Sequence, residues 1–172
     1  MSNCLAIQEN TEVHALSDSW TLWSHLPHDT DWSVSSYQPI HTFNTVEEII
    51  LLNDLIPEKL IKNCMLFLMR KGIKPLWEDP ANKSGGCFSY KVNNKVVKDA
   101  WTNLSYTLAG ETITNDLNLN KIINGITLSP KKNFCILKIW TNTCDHQNAS
   151  IIRPIDNIDS HGCLFKKHNP EY

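Results

Sequence analysis

The chain has 172 residues, 41% of them hydrophobic and 20% charged, with a formal net charge of -2. That length supports one core and one domain, and no apolar run approaches the roughly 20 residues of a membrane helix. A slightly acidic total argues against gripping long nucleic acid by its phosphates, which takes a basic face, and leaves a nucleotide-sized ligand open.

Residues 1–13 are polar and unpatterned and read as a mobile arm in front of a single domain over 14–172. The arm has neither the basic flank nor the apolar block of a signal peptide, so the expected location is cytoplasmic. From His14 to Leu26, HALSDSWTLWSHL alternates apolar and polar residues through Trp20 and Leu22, with Trp23 out of phase, and predicts a first strand. A polar loop, PHDTDW, ends in Trp32. Ser35 to Phe43 predicts a second strand, and Thr45 with Glu48 at capping-box spacing predicts a helix from about Val46 to Leu55. Its apolar positions, Val46, Ile49, Ile50, Leu52 and Ile56, make a stripe wider than one buried face requires, which leaves one or two of them on the surface.

Cys64 to Lys71 (CMLFLMRK) is almost continuously apolar and predicts a strand covered on both faces. The connection GIKPLWEDPANKSGG, Gly72 to Gly86, then sets an indole and a carboxylate, Trp77 and Glu78, side by side. Gly85-Gly86 predicts a hairpin turn into the strand CFSYKV, and Asn93-Asn94 a further turn. Val97, Ala100, Trp101, Leu104 and Leu108 recur at helical spacing between Lys95 and Ala109, with Gly110 as the stop and Trp101 as plain core. Two more strands, Ile122 to Leu128 and Phe134 to Thr141, flank a turn that carries Lys131 and Lys132. Cys144 to Ile152 predicts a short helix and Gly162 to Lys167 a last strand. Strands interrupted by two or three helices make the class α+β, with one mostly antiparallel sheet.

The six cysteines include no Cys-x-x-Cys pair and read as reduced thiols, so neither a metal nor a cofactor is implied. The seven histidines are dispersed and read as surface or structural residues. No nucleophile triad, phosphate-binding loop or metal motif marks an enzyme. Glu78-Asp79 fails as a catalytic acid pair because neighbours in an extended chain point to opposite sides.

Tryptophan is the outlier, with six copies, at Trp20, Trp23, Trp32, Trp77, Trp101 and Trp140. Buried indole N–H groups want partners, so some of these are expected at a surface. Trp32 in its polar loop is as well explained by a core plug as by a ligand, and Trp77 with Glu78 as well by packing beside a solvated acid as by a site. A flat cationic base fits between two indoles at about 1–3 kcal/mol per stacking contact, with a carboxylate accepting two N–H groups from a guanine edge and lysines holding phosphates. Two lysines on a turn are otherwise solvated charge.

Five separated motifs agree with one family. HALSDSWTLW, FNTVEEI, WEDPANKSGG, AWTNLSYTLAGE and KIWTNTCDH, in consistent order and spacing from His14 to about Ile152, resemble the eukaryotic translation initiation factor 4E family of messenger-RNA cap-binding proteins. The resemblance implies a curved sheet with helices on its convex face and the cap slot on the concave side. It implies that Trp32 and Trp77 sandwich the 7-methylguanine and that Glu78, helped by the backbone N–H of Trp77, reads the base edge. It implies further that Trp140 touches the methyl group and that Lys131, with Lys132 beside it, meets the triphosphate. Methylation spreads positive charge over the base, which strengthens stacking on indoles. Two basic positions of the family are Cys87 and Ile136 here, so phosphate binding falls to Lys131 and Lys132, or to Lys166, Lys167 and His168 of the C-terminal segment.

The resemblance also implies a second face, formed by His14, Leu16, Val46, Ile50 and Tyr106, where a partner helix with a Tyr-x-x-x-x-Leu-apolar motif docks. On that face Ile50 stands where the family has an exposed Trp, and Tyr106 where it has a Leu. The implied partners are capped messenger RNA and a scaffold initiation factor of the 4G type, or a repressor carrying the same helix, on a monomer. The implied role is translation initiation, with a cap-binding repressor or competitor as the alternative. An enzyme acting on capped RNA finds no catalytic residues here.

Overall fold

The computed structural model describes residues 12–168. Of the expected arm over 1–13, all but Glu12 and Val13 lie outside the described residues. The strands are β1 (Ala15–His25), β2 (Tyr37–Thr45), β3 (Met65–Arg70), β4 (Gly86–Asn93), β5 (Ile123–Pro130), β6 (Phe134–Thr141) and β7 (Leu164–Lys167). The helices are α1 (Val46–Leu55), α2 (Glu58–Asn63), α3 (Val97–Ala109) and α4 (Leu117–Asn120). The strands form one sheet in the order β2-β1-β3-β5-β6-β4-β7, and every neighbouring pair is antiparallel. The sheet is curved, with helices on its convex face, and antiparallel throughout rather than mostly so.

Period-two alternation sorts the strand side chains into two layers. Along β3, Leu66 and Leu68 enter a large core with Trp20, Phe88, Ile139 and the helical residues Ile49 and Trp101. Phe67 and Met69 point the other way and join Tyr37, Cys87 and Trp140 in a smaller cluster. Both faces of β3 are covered, which is why CMLFLMRK reads as a continuous apolar run.

The predicted capping box at α1 is present. Thr45 Oγ1 accepts from Glu48 N at 3.3 Å, and the Glu48 carboxylate accepts from Asn44 N at 3.1 Å. That backbone bond is the main reason the Glu48 carboxyl titrates below its usual range. The helix buries Ile49 and Asn53; of the predicted stripe Ile50 alone is exposed, as its excess width implied, and Leu51 and Leu55, outside the stripe, are exposed as well. Asn53 Nδ2 donates to Ser105 Oγ at 3.0 Å, a buried polar link from α1 to α3. On α3 all five positions of the predicted stripe are buried, with Trp101 only 1% exposed.

Three expectations change. Gly85-Gly86 is not a hairpin turn: a Cβ on Gly85 would lie 1.7 Å from the Thr141 carbonyl oxygen, and one on Gly86 would lie 2.5 Å from the Phe165 ring. These glycines let β4 approach its neighbours. The helix predicted over Cys144 to Ile152 is bent, irregular chain with one 3-10 turn at Ala149–Ile151. Its polar side chains take backbone groups that a helix would have used: Thr143 Oγ1 accepts from Asp145 N, Asn148 Oδ1 accepts from Ser150 N, and Gln147 Nε2 donates to Cys144 O. Finally, α2 and α4 were not predicted, because six and four residues are too few for a helical period to register.

The five described cysteines, Cys64, Cys87, Cys135, Cys144 and Cys163, are free thiols. Among the described residues no helix is long and apolar enough to cross a membrane.

Candidate functional site

The connection from β3 to β4 is held from within. Gly72 takes φ +89°, a left-handed turn that favours glycine. Asp79 Oδ2 accepts from Lys74 N at 3.1 Å and Oδ1 from Ala81 N at 2.9 Å. Asn82, fully buried, donates to the carbonyls of Lys74 and Leu76 at 3.0 and 2.7 Å and accepts from Asn124 Nδ2 of β5 at 2.9 Å. This bracing leaves Trp77, 52% exposed, and Glu78 standing clear at the tip. Residues 77–80 are turn and bend rather than extended chain, so the reason against an acid pair is different from the one expected. Asp79 is committed to backbone N–H groups while Glu78 faces the cavity.

Trp32 is braced from the β1–β2 connection. Asp31 accepts from Ser33 N and Ser33 Oγ, each at 2.8 Å, and these bonds, the backbone one foremost, hold its carboxyl below the usual range. The buried ring of His25, at the end of β1, sits between the carbonyls of Leu26 (3.1 Å) and Asp31 (2.8 Å). Trp32 lies flat on it, with centroids 4.3 Å apart and planes 6° from parallel. One face of the indole is covered and the side chain is still 55% exposed, so the other face is available.

Between these two indoles lies a cavity of about 570 Å³ on the concave side of the sheet. Trp32, Trp77 and Glu78 line it, and Trp140 closes its floor, with Nε1 donating to Thr127 Oγ1 at 2.8 Å. Tyr37 is part of the same lining; burial, and then the charge of Glu78, push its phenol upward. Three cations reach the cavity, Lys138, Lys166 and Lys167. Lys131 and Lys132 are exposed on the β5–β6 turn and are not among its lining residues. That turn lies beyond Phe134, about 20 Å along β6 from Trp140. The fold therefore gathers the four aromatic and acidic residues singled out in the sequence and leaves the two lysines apart. Lys138 was missed although it had a signal: it sits two residues before Trp140, on the same face of β6 by alternation. His168, read both as a surface or structural histidine and, with Lys166 and Lys167, as an alternative phosphate contact, is buried in the cavity wall.

The sequence profile of the family described as eukaryotic initiation factor 4E matches residues 15–169. A eukaryotic translation initiation factor 4E of Candida albicans is 31% identical over 155 residues, spanning 84% of this chain and 72% of that protein. The chain belongs to the eukaryotic initiation factor 4E family. An initiation factor 4E homolog of Acanthamoeba polyphaga mimivirus is 45% identical over a shorter stretch of 62 residues, 36% of this chain and 23% of that protein. Among solved structures, eIF4E-3 of C. elegans, in complex with the 4E-binding protein Mextli and a cap analog, superposes with a TM-score of 0.69 at 24% identity, over 77% of this chain and 76% of that one. The family consists of cap-binding translation factors and not of enzymes.

In this member of the initiation factor 4E family the second predicted face lies on the helical side. His14 Nδ1 meets the Glu47 carboxylate at 2.7 Å, and Val46 N donates to His14 O at 2.9 Å, which ties the start of β1 to α1. The His14 bond is the main reason the Glu47 carboxyl titrates low. Leu16 and Val46 are half-buried, whereas Ile50 is 44% and Tyr106 36% exposed. The phenol of Tyr106 is pushed upward by burial and then by the charge of Asp54 on α1.

Proposed function

We propose that the cavity is the slot for the 7-methylguanosine cap of messenger RNA, with the methylated base stacked between Trp32 and Trp77. The reading is carried by one observation: two half-exposed indoles on separately braced connections line the same cavity, with a carboxylate beside one of them. Glu78 accepts the two N–H groups of the guanine edge, and Trp140 forms the wall against the methyl group. Lys138, Lys166 and Lys167 are the cations that reach the slot, so they take the first phosphates. Lys131 and Lys132 serve whatever part of the ligand extends past the rim. Family membership and the resemblance to cap complexes support this assignment. A methylated base carries charge that an unmethylated one lacks, and the indole faces and Glu78 favour that charge together.

The protein acts as a monomer in the cytoplasm, in translation initiation, by recruiting a scaffold factor of the 4G type through the surface around His14, Leu16, Val46, Ile50 and Tyr106. The alternative role, a repressor that holds the cap without productive recruitment, is favoured by one residue: exposed Ile50 offers a partner helix a smaller contact than the Trp that the family resemblance expects there. Capture of partners from the native cell separates the two, since the repressor reading predicts no scaffold.

The slot is tested by tryptophan fluorescence. Titration with 7-methylguanosine triphosphate is expected to quench emission more strongly, and at lower concentration, than titration with guanosine triphosphate. Equal or absent quenching sinks the reading. Glu78→Ala is expected to remove the preference for guanine over adenine ligands, about 1.5–3 kcal/mol for hydrogen bonds to a charged acceptor.

A further inference from the structure

His168 is a wall residue that base stacking leaves idle. It is 6% exposed, and its ring lies 4.5 Å from that of Trp140, inclined at 49°. Nδ1 is 2.8 Å from the backbone oxygen of Asn82. A carbonyl only accepts, so Nδ1 carries a hydrogen, and in the neutral ring Nε2 is left as a bare lone pair. Nε2 is buried, and among the described residues it has no partner. The ring lines both the slot and the smaller recess formed by Trp77, Glu78 and Lys83. A buried polar atom without a partner costs about 1–3 kcal/mol. The ring is part of a cavity wall, so a ligand seated there is the group that can supply the missing partner.

The surroundings say which kind of ligand atom fits. The slot that the ring lines is also lined by Lys138 of β6, Lys166 and Lys167 of β7, Glu78 of the β3–β4 connection and the Cys87 thiol of β4, and Lys83 joins Glu78 in the recess beside it. Four lysines against one carboxylate make this wall cationic and suited to an anion. Burial, and to a lesser degree Lys138, hold the imidazole below its usual range, so the free protein keeps it neutral. An arriving phosphate offsets the lysine charge and offers an anionic acceptor. Cys87 and Ile136, where the resemblance expects fixed cations, provide none.

We propose that His168 is a phosphate-contacting, specificity-determining residue whose Nε2 takes one proton from solvent as the ligand binds and donates it in a hydrogen bond to a phosphate oxygen. Nδ1 keeps its bond to Asn82 throughout, and the proton returns to solvent when the ligand leaves. This rests on the reading of the cavity as a cap slot. Its consequence is a preference for phosphorylated over unphosphorylated methylguanosine that grows as pH falls.

The test compares 7-methylguanosine with a dinucleotide joined to it through a 5′–5′ triphosphate, whose bridging phosphates do not titrate near neutrality. Both are titrated by fluorescence against the wild type and His168→Gln across about pH 6–8, where histidine changes charge. The base's own titration is common to both ligands and cancels in the ratio of their affinities. In the wild type that ratio is expected to rise toward the dinucleotide on acidification, by up to about tenfold per pH unit for one proton. In His168→Gln it is expected to stay flat. Calorimetry of the wild type in buffers of different ionisation enthalpy is expected to register proton uptake with the dinucleotide and none with the nucleoside, which covers the case of a variant that does not fold. An equal slope in both proteins, or no proton uptake, overturns the assignment. A wild-type ratio that falls on acidification also overturns it, since Nε2 would then be a lone-pair acceptor for a ligand N–H or O–H. If both ligands bind and only the slope is missing, the cap reading stands and this inference alone fails; if neither binds, both fail.

Discussion

The two faces of the sheet use the same strands for opposite ends. On the convex face Trp20, Leu22, Leu66, Leu68, Phe88 and Ile139 are closed over by helices, with Trp101 packed among them. On the concave face, among the described residues, a small cluster of Tyr37, Phe67, Met69, Cys87 and Trp140 packs with Trp23, Met65, Ile73 and Leu76 and with no helix residue. Two indoles stand over that cluster half-exposed instead, each braced by polar bonds within its own connection. The difference teaches that the indoles of this chain divide by what covers them. Those under helices pack the core, and the two held up by loops keep an indole face exposed, which suits them to the proposed ligand contact.

Substitutions can break that division in either direction. The largest effect is expected from Trp101→Ala, about 3–5 kcal/mol of stability by denaturant unfolding, with little change in cap affinity for the fraction that remains folded. Asn82→Ala comes next. Its loss removes the bonds to Lys74, Leu76 and Asn124, about 1 kcal/mol each, and frees the connection that carries Trp77, so both the unfolding midpoint and cap affinity are expected to fall. Trp77→Ala and Trp32→Ala are expected to leave unfolding within about 0.5 kcal/mol of wild type while each weakens binding by about 1–3 kcal/mol. A large stability loss in either would erase the contrast between the faces. A smaller effect is expected from Lys138→Ala, about 0.2–1 kcal/mol as for a solvent-exposed ion pair, on phosphorylated ligands only and shrinking with added salt. Lys131→Ala is expected to do less; the reverse order would return the phosphate contact to the β5–β6 turn.

Much of the fold was legible because its signals are local. The alternation in HALSDSWTLW, the unbroken run CMLFLMRK, the Thr45/Glu48 box and the α3 stripe each lie within a dozen or so consecutive residues, and each became the element it predicted. The site was legible in part for another reason: Trp77 with Glu78 and the isolated Trp32 stand out by residue type. Failures came where a residue's role depends on a distant partner. Gly85 and Gly86 read as a turn because turns are what glycine pairs usually make, but they are required by the close approach of Thr141 and Phe165. Cys144 to Ile152 read as a short helix, but its polar side chains take backbone groups that a helix would use. Asn82 carried no local mark of the three anchoring bonds its side chain makes.

By itself, the sequence determined the class and the two longer helices, and it singled out Trp32, Trp77 and Glu78 as the residues proposed to hold a methylated base, since periodicity, caps and residue chemistry are readable along the chain. Only the tertiary structure decided which cations join them. Antiparallel pairing of β6 with β4 and of β4 with β7 brings Lys138, Lys166 and His168 to the wall beside Trp140 and leaves Lys131 and Lys132 at the far turn. Strand register is set by the burial of one whole face against another. No stretch of neighbouring residues contains that information.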